Sequence, residues 1–237
     1  ALSLFLGDGM QESFNFSDYA LQVRKLSKAL LCSGGGSAET SGRMHLLAVA
    51  TERDLTRFGD SAERAQVACG PGCGTCCVLN VTVLFPEAIT IAWFLRRRFS
   101  DQQLDSLRAR LKDLLTRTRW LDDEERLFVR VPCAFLDAKG RCMIHSVRPL
   151  LCRSITSTDP EVCHDAVTMA PLDGAPCVEM NLFQKQFIDT VYTELAGALE
   201  ELGLDHRPRR LSAAVMALLV EPGLVETFLS GGMVPIN

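Results

Sequence analysis

Long apolar runs are missing from this sequence. No stretch reaches the about 18 consecutive apolar residues of a membrane-crossing helix, so a membrane-bound role is not expected. The short apolar patch Leu2 to Leu6 has no basic segment before it, which argues against a signal peptide and for the cytoplasm. Surplus positive charge is missing too. The 25 Lys and Arg against 29 Asp and Glu leave a net charge of −4, so binding to nucleic acid through phosphate contacts is not expected; a protein partner is. CSGGGS, Cys32 to Ser37, follows no strand and carries no Gly-Lys-Ser/Thr, which excludes a nucleotide loop and leaves a flexible link. No repeat is evident, and the paired C-x-x-C knuckles common in zinc ribbons are absent.

Cysteine is plentiful. Ten cysteines occur in 237 residues, too sparse for a small disulfide scaffold yet far from random in placement. CGPGCGTCC, Cys69 to Cys77, holds four in nine residues. Cys133, Cys142, Cys152 and Cys163 follow at nearly even spacing. The chain is 47% apolar and long enough to fold around a core without staples. In a reducing compartment thiols stay reduced unless a metal or chemistry claims them, so metal binding is preferred to disulfides.

Around the cysteines the patterning predicts a mainly α protein: a helical, bundle-like core with a small cysteine-rich loop and hairpin lobe. Three regions are expected: an N-terminal helical segment (1–68), a metal-binding region (69–170), and C-terminal helices packing on the same core (171–237). Ser17 or Asp18 can cap a first helix with Leu21, Leu26 and Leu30 on its apolar side. A second spans Met44 to Ala68, with a break at Gly59. Val78 to Leu84 is β-branched and reads as a short strand. Pro86 and Glu87 suit the first turn of the next helix. Ser100 or Asp101 opens another, whose apolar face is Leu104, Leu107, Leu111 and Leu114. Its other face is basic, and with Arg96, Arg97 and Arg98 it reads as a solvated surface. Val129 to Ile144 reads as a hairpin turning at Asp137–Gly140, with Phe135 opposite Cys142. Asn181 to Leu202, Leu211 to Val220 and Val225 to Leu229 are the closing helices, their apolar stripes serving the core.

Soft thiolates suit zinc or iron–sulfur centres. Four of them leave either centre at −2, and Arg148 and Arg153, flanking Cys152, are placed to offset that charge as cofactor-binding residues. Glycines at 70, 72 and 74 give the backbone freedom to turn amides towards sulfur. The neighbours Cys76 and Cys77 can share one centre only if the backbone bends.

These residues resemble the CxxCxxCC cysteine-cluster family, also called YkgJ-type, a domain credited with chelating zinc or iron. The resemblance runs from about Cys69 to Asp165 through the opening cluster, P-E-A-I-T-I-A, C-A-F-L…G-R-C-M-I, R-P-L-L-C-R and E-V-C-H-D-A. It implies eight metal ligands: Cys69, Cys73, Cys76, Cys77, Cys133, Cys142, Cys152 and Cys163. Cys32 and Cys177 fall outside it and read as buried or spare thiols. The first spacing is one residue longer than the family's usual C-x-x-C. His145 stands where the family often has tyrosine, and His145 and His164 read as surface or hydrogen-bonded side chains rather than ligands.

The bent glycine loop and paired cysteines favour a 4Fe–4S centre with an accessory redox or maturation role. A zinc-stapled interaction module is one alternative. A metal-dependent modifying enzyme is another, since some family members are related to protein lysine methylases, although no glycine-rich S-adenosylmethionine loop is present. Such an enzyme needs an acid or base beside the metal; Asp137, Asp159, Glu161 and Asp165 are close in sequence and read as solvated. No catalytic residue is assigned.

Overall fold

The computed structural model describes residues 14–32, 34–169 and 174–236; the Leu2–Leu6 patch and Ser33 of the glycine link lie outside them. Among the described residues the fold is mainly α, with eleven α-helices and one two-stranded sheet. Helix α1 (Phe16–Leu31) starts at a different cap from the expected one: Asn15 Oδ1 accepts the Ser17 and Asp18 amides at 2.9 and 3.3 Å. Its buried stripe is Tyr19, Val23 and Ser27, spaced by four, whereas Leu21 is 61% exposed. The stripe is set by the helix that α1 lies on, α9 (Leu182–Glu201), because residues four apart share a face. Tyr19 stacks on Phe187 of α9 with ring centroids 4.3 Å apart.

Helix α2 (Ser37–Phe58) stops at Gly59, as the sequence predicts, and Asp60 caps the short α3 (Ser61–Ala65). The centre of the molecule is α4 (Phe85–Arg98), packed by α2 on one side and by α10 (Leu211–Val220) on another. Its first eight residues, Phe85 to Ala92, are all buried, so Pro86 in the first turn loses no hydrogen bond that the helix would otherwise make. Helix α5 (Asp101–Thr118) is capped by Ser100 and buries Leu104, Leu107, Leu111 and Leu114 against the core, as expected.

The basic face is solvated as expected over Arg96–Arg98, Lys112, Arg117 and Arg119, and three of its arginines also reach backbone carbonyls of other elements. Arg96 donates to the Leu218 carbonyl at 2.8 Å and Arg108 to Leu219 at 3.1 Å, closing the C-terminal turn of α10, where cations are favoured. Arg110 donates to Leu136 O at 2.8 Å and so ties α5 to the cysteine lobe.

The hairpin expected over Val129–Ile144 is mostly something else. Helix α6 (Asp123–Val129), capped by Asp122, occupies its start and ends on Arg130 at φ +45°. Only one bridge forms, and it pairs Leu136, not Phe135, with Cys142. The turn at Asp137–Gly140 is real: Gly140 N donates to Asp137 O at 3.0 Å, and Gly140 takes the φ of +71° that favours glycine. The residue at that turn shifts the register by one. The predicted strand at Val78–Leu84 shortens to β1 (Thr82–Val83), paired antiparallel with β2 (Arg209–Arg210). Helices α7 (Leu150–Ser154) and α8 (Pro160–Met169) come next in the lobe, and α11 (Leu224–Leu229) closes the chain. Buried apolar residues from Tyr19 to Val234 form one continuous cluster. No helix among the described residues is long and apolar enough to cross a membrane.

Glu87 joins this core to the lobe. Its carboxylate accepts the Leu84 amide, the free N–H at the start of α4, and the Leu150 amide at the start of α7, both at 2.9 Å. Burial pushes its pKa up from 4.5 to about 7; the Leu150 and Leu84 amides and the Arg153 charge hold it from going further. A carboxyl raised in the folded state gives stability that is complete below the unfolded value and is lost as pH rises through the folded one. Stability is therefore expected to fall between pH 4.5 and about 7. Glu87→Gln cannot titrate and has one oxygen for two N–H donors. It should flatten that slope and cost about 1–3 kcal/mol at the acid end. Denaturant unfolding across this pH range checks both; an undiminished slope in the variant assigns it to another group.

Candidate metal centre

The loop carrying the first four cysteines is built by short-range turns. Cys73 N donates to Gly70 O and Cys77 N to Gly74 O, each at 3.0 Å. Gly72 sits at φ +94°, a conformation that only glycine adopts without strain. Thr75–Val78 then forms a single 3₁₀ turn, which supplies the bend between Cys76 and Cys77. Two long-range backbone bonds dock the loop: Cys133 N to Cys77 O at 2.7 Å, and Ala68 N to Ser157 O at 2.8 Å. Cys133 and Cys142 stand on the turn-and-bridge segment, Cys152 on α7 and Cys163 on α8. Helices thus carry two of the eight, where loops had been expected. The amides of Cys73 and Cys77 go to carbonyls; the backbone at Phe135 favours the Cys133 thiolate and that at Ile144 the Cys142 thiolate.

Seven of the eight cysteines line a single cavity of about 350 Å³: Cys69, Cys73, Cys76, Cys77, Cys133, Cys142 and Cys152. Cys163 lies outside the lining but within electrostatic reach of Cys76, Cys69 and Cys73. Cys76 is the common neighbour. Its charge acts on Cys69, Cys77, Cys133, Cys142, Cys152 and Cys163. Around it the thiols divide. Cys133, Cys142 and Cys152 form an inner group acting on one another, while Cys69, Cys73 and Cys163 form an outer one. Cys69 and Cys73 are exposed, the other six half-buried. Cys32 and Cys177 are remote from the cavity and exposed rather than buried, and all ten thiols are free.

Crowding and burial keep most of these thiols protonated. Burial raises Cys133 to about 11 and pushes Cys152 higher still, with Cys133, Cys76 and Cys142 adding repulsion. Burial also raises Cys69, Cys142 and Cys163. Cys76 runs the other way: the hydrogen bond from Cys77 lowers it to about 7 and raises Cys77 in turn. One thiolate among neutral thiols is the arrangement that mutual repulsion permits.

The charges facing this cavity are one-sided. Arg126, Arg148, Arg153 and Arg210 line it, with no Asp or Glu among the described lining residues. The Arg148 charge favours the thiolates of Cys69, Cys76, Cys142 and Cys152, and its Nε is buried without a partner. Arg153 braces Arg148 by donating from Nε to the Arg148 carbonyl at 3.2 Å. Both arginines also line a second cavity of about 390 Å³ between α2 and α4. Arg126 and Arg210 come from elements that sequence reasoning did not connect to the cysteines; no spacing marks them, because β2 is brought in by pairing with β1.

Of the remaining candidates only His145 lines the cavity; burial with the Arg148 and Arg153 charges lowers its pKa. His164 is at the surface beside Asp165, 3.6 Å away. Asp137 holds the Lys139 and Arg141 amides of its turn, and Asp159 caps α8 through the Glu161 and Val162 amides. None of Asp137, Asp159, Glu161 and Asp165 lines the cavity.

In kind, the donor set fits a soft metal: thiols with guanidinium groups beside them. In spacing, no three His, Cys, Asp or Glu side chains among the described residues are arranged to hold a single ion. The gathering is on the scale of the cavity rather than of one ion.

Residues 68–171 match the model of the CxxCxxCC family, described as a "Putative zinc- or iron-chelating domain". The resemblance read from the cysteine spacing therefore holds, over that segment. Comparison with curated proteins and with solved structures finds no match.

The arrangement around Cys76 makes a mutational prediction. Cys76→Ser removes the common neighbour and Cys152→Ser removes an inner thiol, so each should lower bound metal and the yield of folded protein together, because site assembly and folding are linked. Cys32→Ser and Cys177→Ser should leave both at wild-type levels. Metal analysis of the four purified variants checks this; wild-type content in Cys76→Ser takes that thiol out of the site.

Proposed function

We propose, from the match of residues 68–171 to a zinc- or iron-chelating family, that the chain carries an iron–sulfur centre of the 4Fe–4S type in the cysteine cavity. On this reading it serves an accessory redox or maturation role. The supporting observation is one of scale and charge together. Seven cysteines and four arginines line about 350 Å³ with no carboxylate among the described lining residues, and among the described residues no three ligands are gathered as a single ion needs. Tetrahedral zinc draws four sulfurs to about 2.3 Å from one point. Ligands of a cubane stand further apart, because each corner iron takes its own thiolate.

Cys76 with the inner group of Cys133, Cys142 and Cys152 would hold the centre, and Cys77, Cys69, Cys73 and Cys163 would flank it. When bound, the centre supplies one-electron chemistry. The protein's part is to bind and tune. The backbone at Phe135 and Ile144 favours the Cys133 and Cys142 thiolates, the Arg148 charge offsets the thiolates facing it, and half-burial limits water.

The test is purification without oxygen, followed by a visible spectrum and assays of iron, zinc and acid-labile sulfide. The expected result is a brown protein with broad absorption, iron and sulfide, bleaching reversibly on reduction. A colourless protein with stoichiometric zinc overturns the cluster and leaves a zinc-stapled interaction module.

A further inference from the structure

The second cavity, of about 390 Å³ between α2 and α4, is separate from the cysteine centre: no thiol is among its described lining residues. Its size is at the small end of the range for small-molecule sites. Helix α2 leaves the space open by presenting the small residues Ala38, Ser41, Gly42 and Ala48, and a Cβ added at Gly42 would meet no atom within 4 Å. The rest of the wall is largely apolar, with Met44 and Leu47 from α2, Trp93 from α4 and Leu150 from α7.

Charge enters from one side. Arg153 lines this cavity, and both ends of its guanidinium are directed to it. Nη2 donates at 3.3 Å to the carbonyl of Ser146, a residue that lines this cavity and not the thiol one. Nη1 stands 3.6 Å from Glu52 of α2, the helix that forms the opposite wall. That distance is too long for a hydrogen bond, and Glu52 is itself 62% exposed, so the pairing contributes little. Nη1 is not among the fully buried unpartnered nitrogens, and the Arg153 side chain keeps 19% of its surface accessible. The one acid among the described lining residues is Glu87, whose two oxygens already accept the Leu84 and Leu150 amides. With Arg148 also in the wall, two guanidinium groups stand against that single carboxyl.

We infer that this cavity binds a small aromatic carboxylate, its ring against Trp93 and the small residues of α2 and its carboxylate on Arg153. The carboxylate takes the Nη1 that Glu52 holds only loosely, in a charge-assisted hydrogen bond. The apolar body takes up the surface of Trp93, Met44, Leu47 and Leu150. Helix α7 borders both cavities, with Cys152 lining the one and Leu150 the other, so the ligand sits next to the metal centre without entering it.

The test is calorimetry on the full chain purified without oxygen, with benzoate as probe and benzamide as its neutral isostere; iron, zinc and sulfide are assayed on the same sample. Benzoate is expected to bind tighter than benzamide by about tenfold or more, the worth of a hydrogen bond to a charged group. Arg153→Gln, which carries no charge, should bring benzoate down to the level of benzamide. Gly42→Leu should abolish binding of both probes while metal content stays at the wild-type value, because leucine suits a helix interior better than glycine and the space beside Gly42 is open. Equal binding of the two probes to the wild type, or no binding of either, overturns the inference whether or not the variants fold. Undiminished benzoate binding in folded Gly42→Leu overturns it too, by placing the anion elsewhere, as does a full preference for benzoate in folded Arg153→Gln. The expected preference supports the site whether the sample contains iron and sulfide or zinc.

Discussion

Thiols crowd around Cys76, and a second negative charge beside it is opposed by burial and repulsion. Burial and mutual charge hold Cys133, Cys152, Cys142, Cys69 and Cys163 towards the neutral form. A single favoured thiolate, Cys76, is stabilised by the thiol next to it. Four arginines line the same space, with no carboxylate among the described lining residues. The environment is therefore suited to receiving a cation that deprotonates its ligands and to bearing the residual negative charge once it is there.

That lobe depends on the helical core for its shape. Glu87 sits in the first turn of the most buried helix and reaches the amide that opens the Cys152-bearing helix. Arg110 runs from α5 to the turn between Cys133 and Cys142, and β1–β2 pairing carries Arg210 into the cavity wall. The first two ties are polar groups from the core satisfying backbone groups of the lobe. A segment made largely of turns cannot satisfy its own backbone and must borrow partners in this way.

The basic residues show a solvated face taking on tertiary bonds as well. A run such as Arg96–Arg98 followed by Arg108 and Arg110 looks like a charged outer face. In the fold Arg96 and Arg108 finish the C-terminal end of α10, and Arg110 pins the lobe. The acidic residues near the later cysteines show the converse: Asp137 and Asp159 are turn and cap residues, not chemistry. Proximity in sequence to a ligand says little about facing it.

By itself the sequence determined the helical class, the break at Gly59 and the helix opening at Ser100, because periodicity and capping are local properties of the chain, and the cysteine spacing carried the family resemblance. The face that α1 buries, the one-residue shift that sets Leu136 rather than Phe135 against Cys142, and the reduction of the expected hairpin to a single bridge were decided by packing. So was the assembly of Arg126, Arg148, Arg153 and Arg210 around the thiols. These are contacts between residues far apart in the chain. Their energy comes from burial and long-range charge, which no local window of sequence contains.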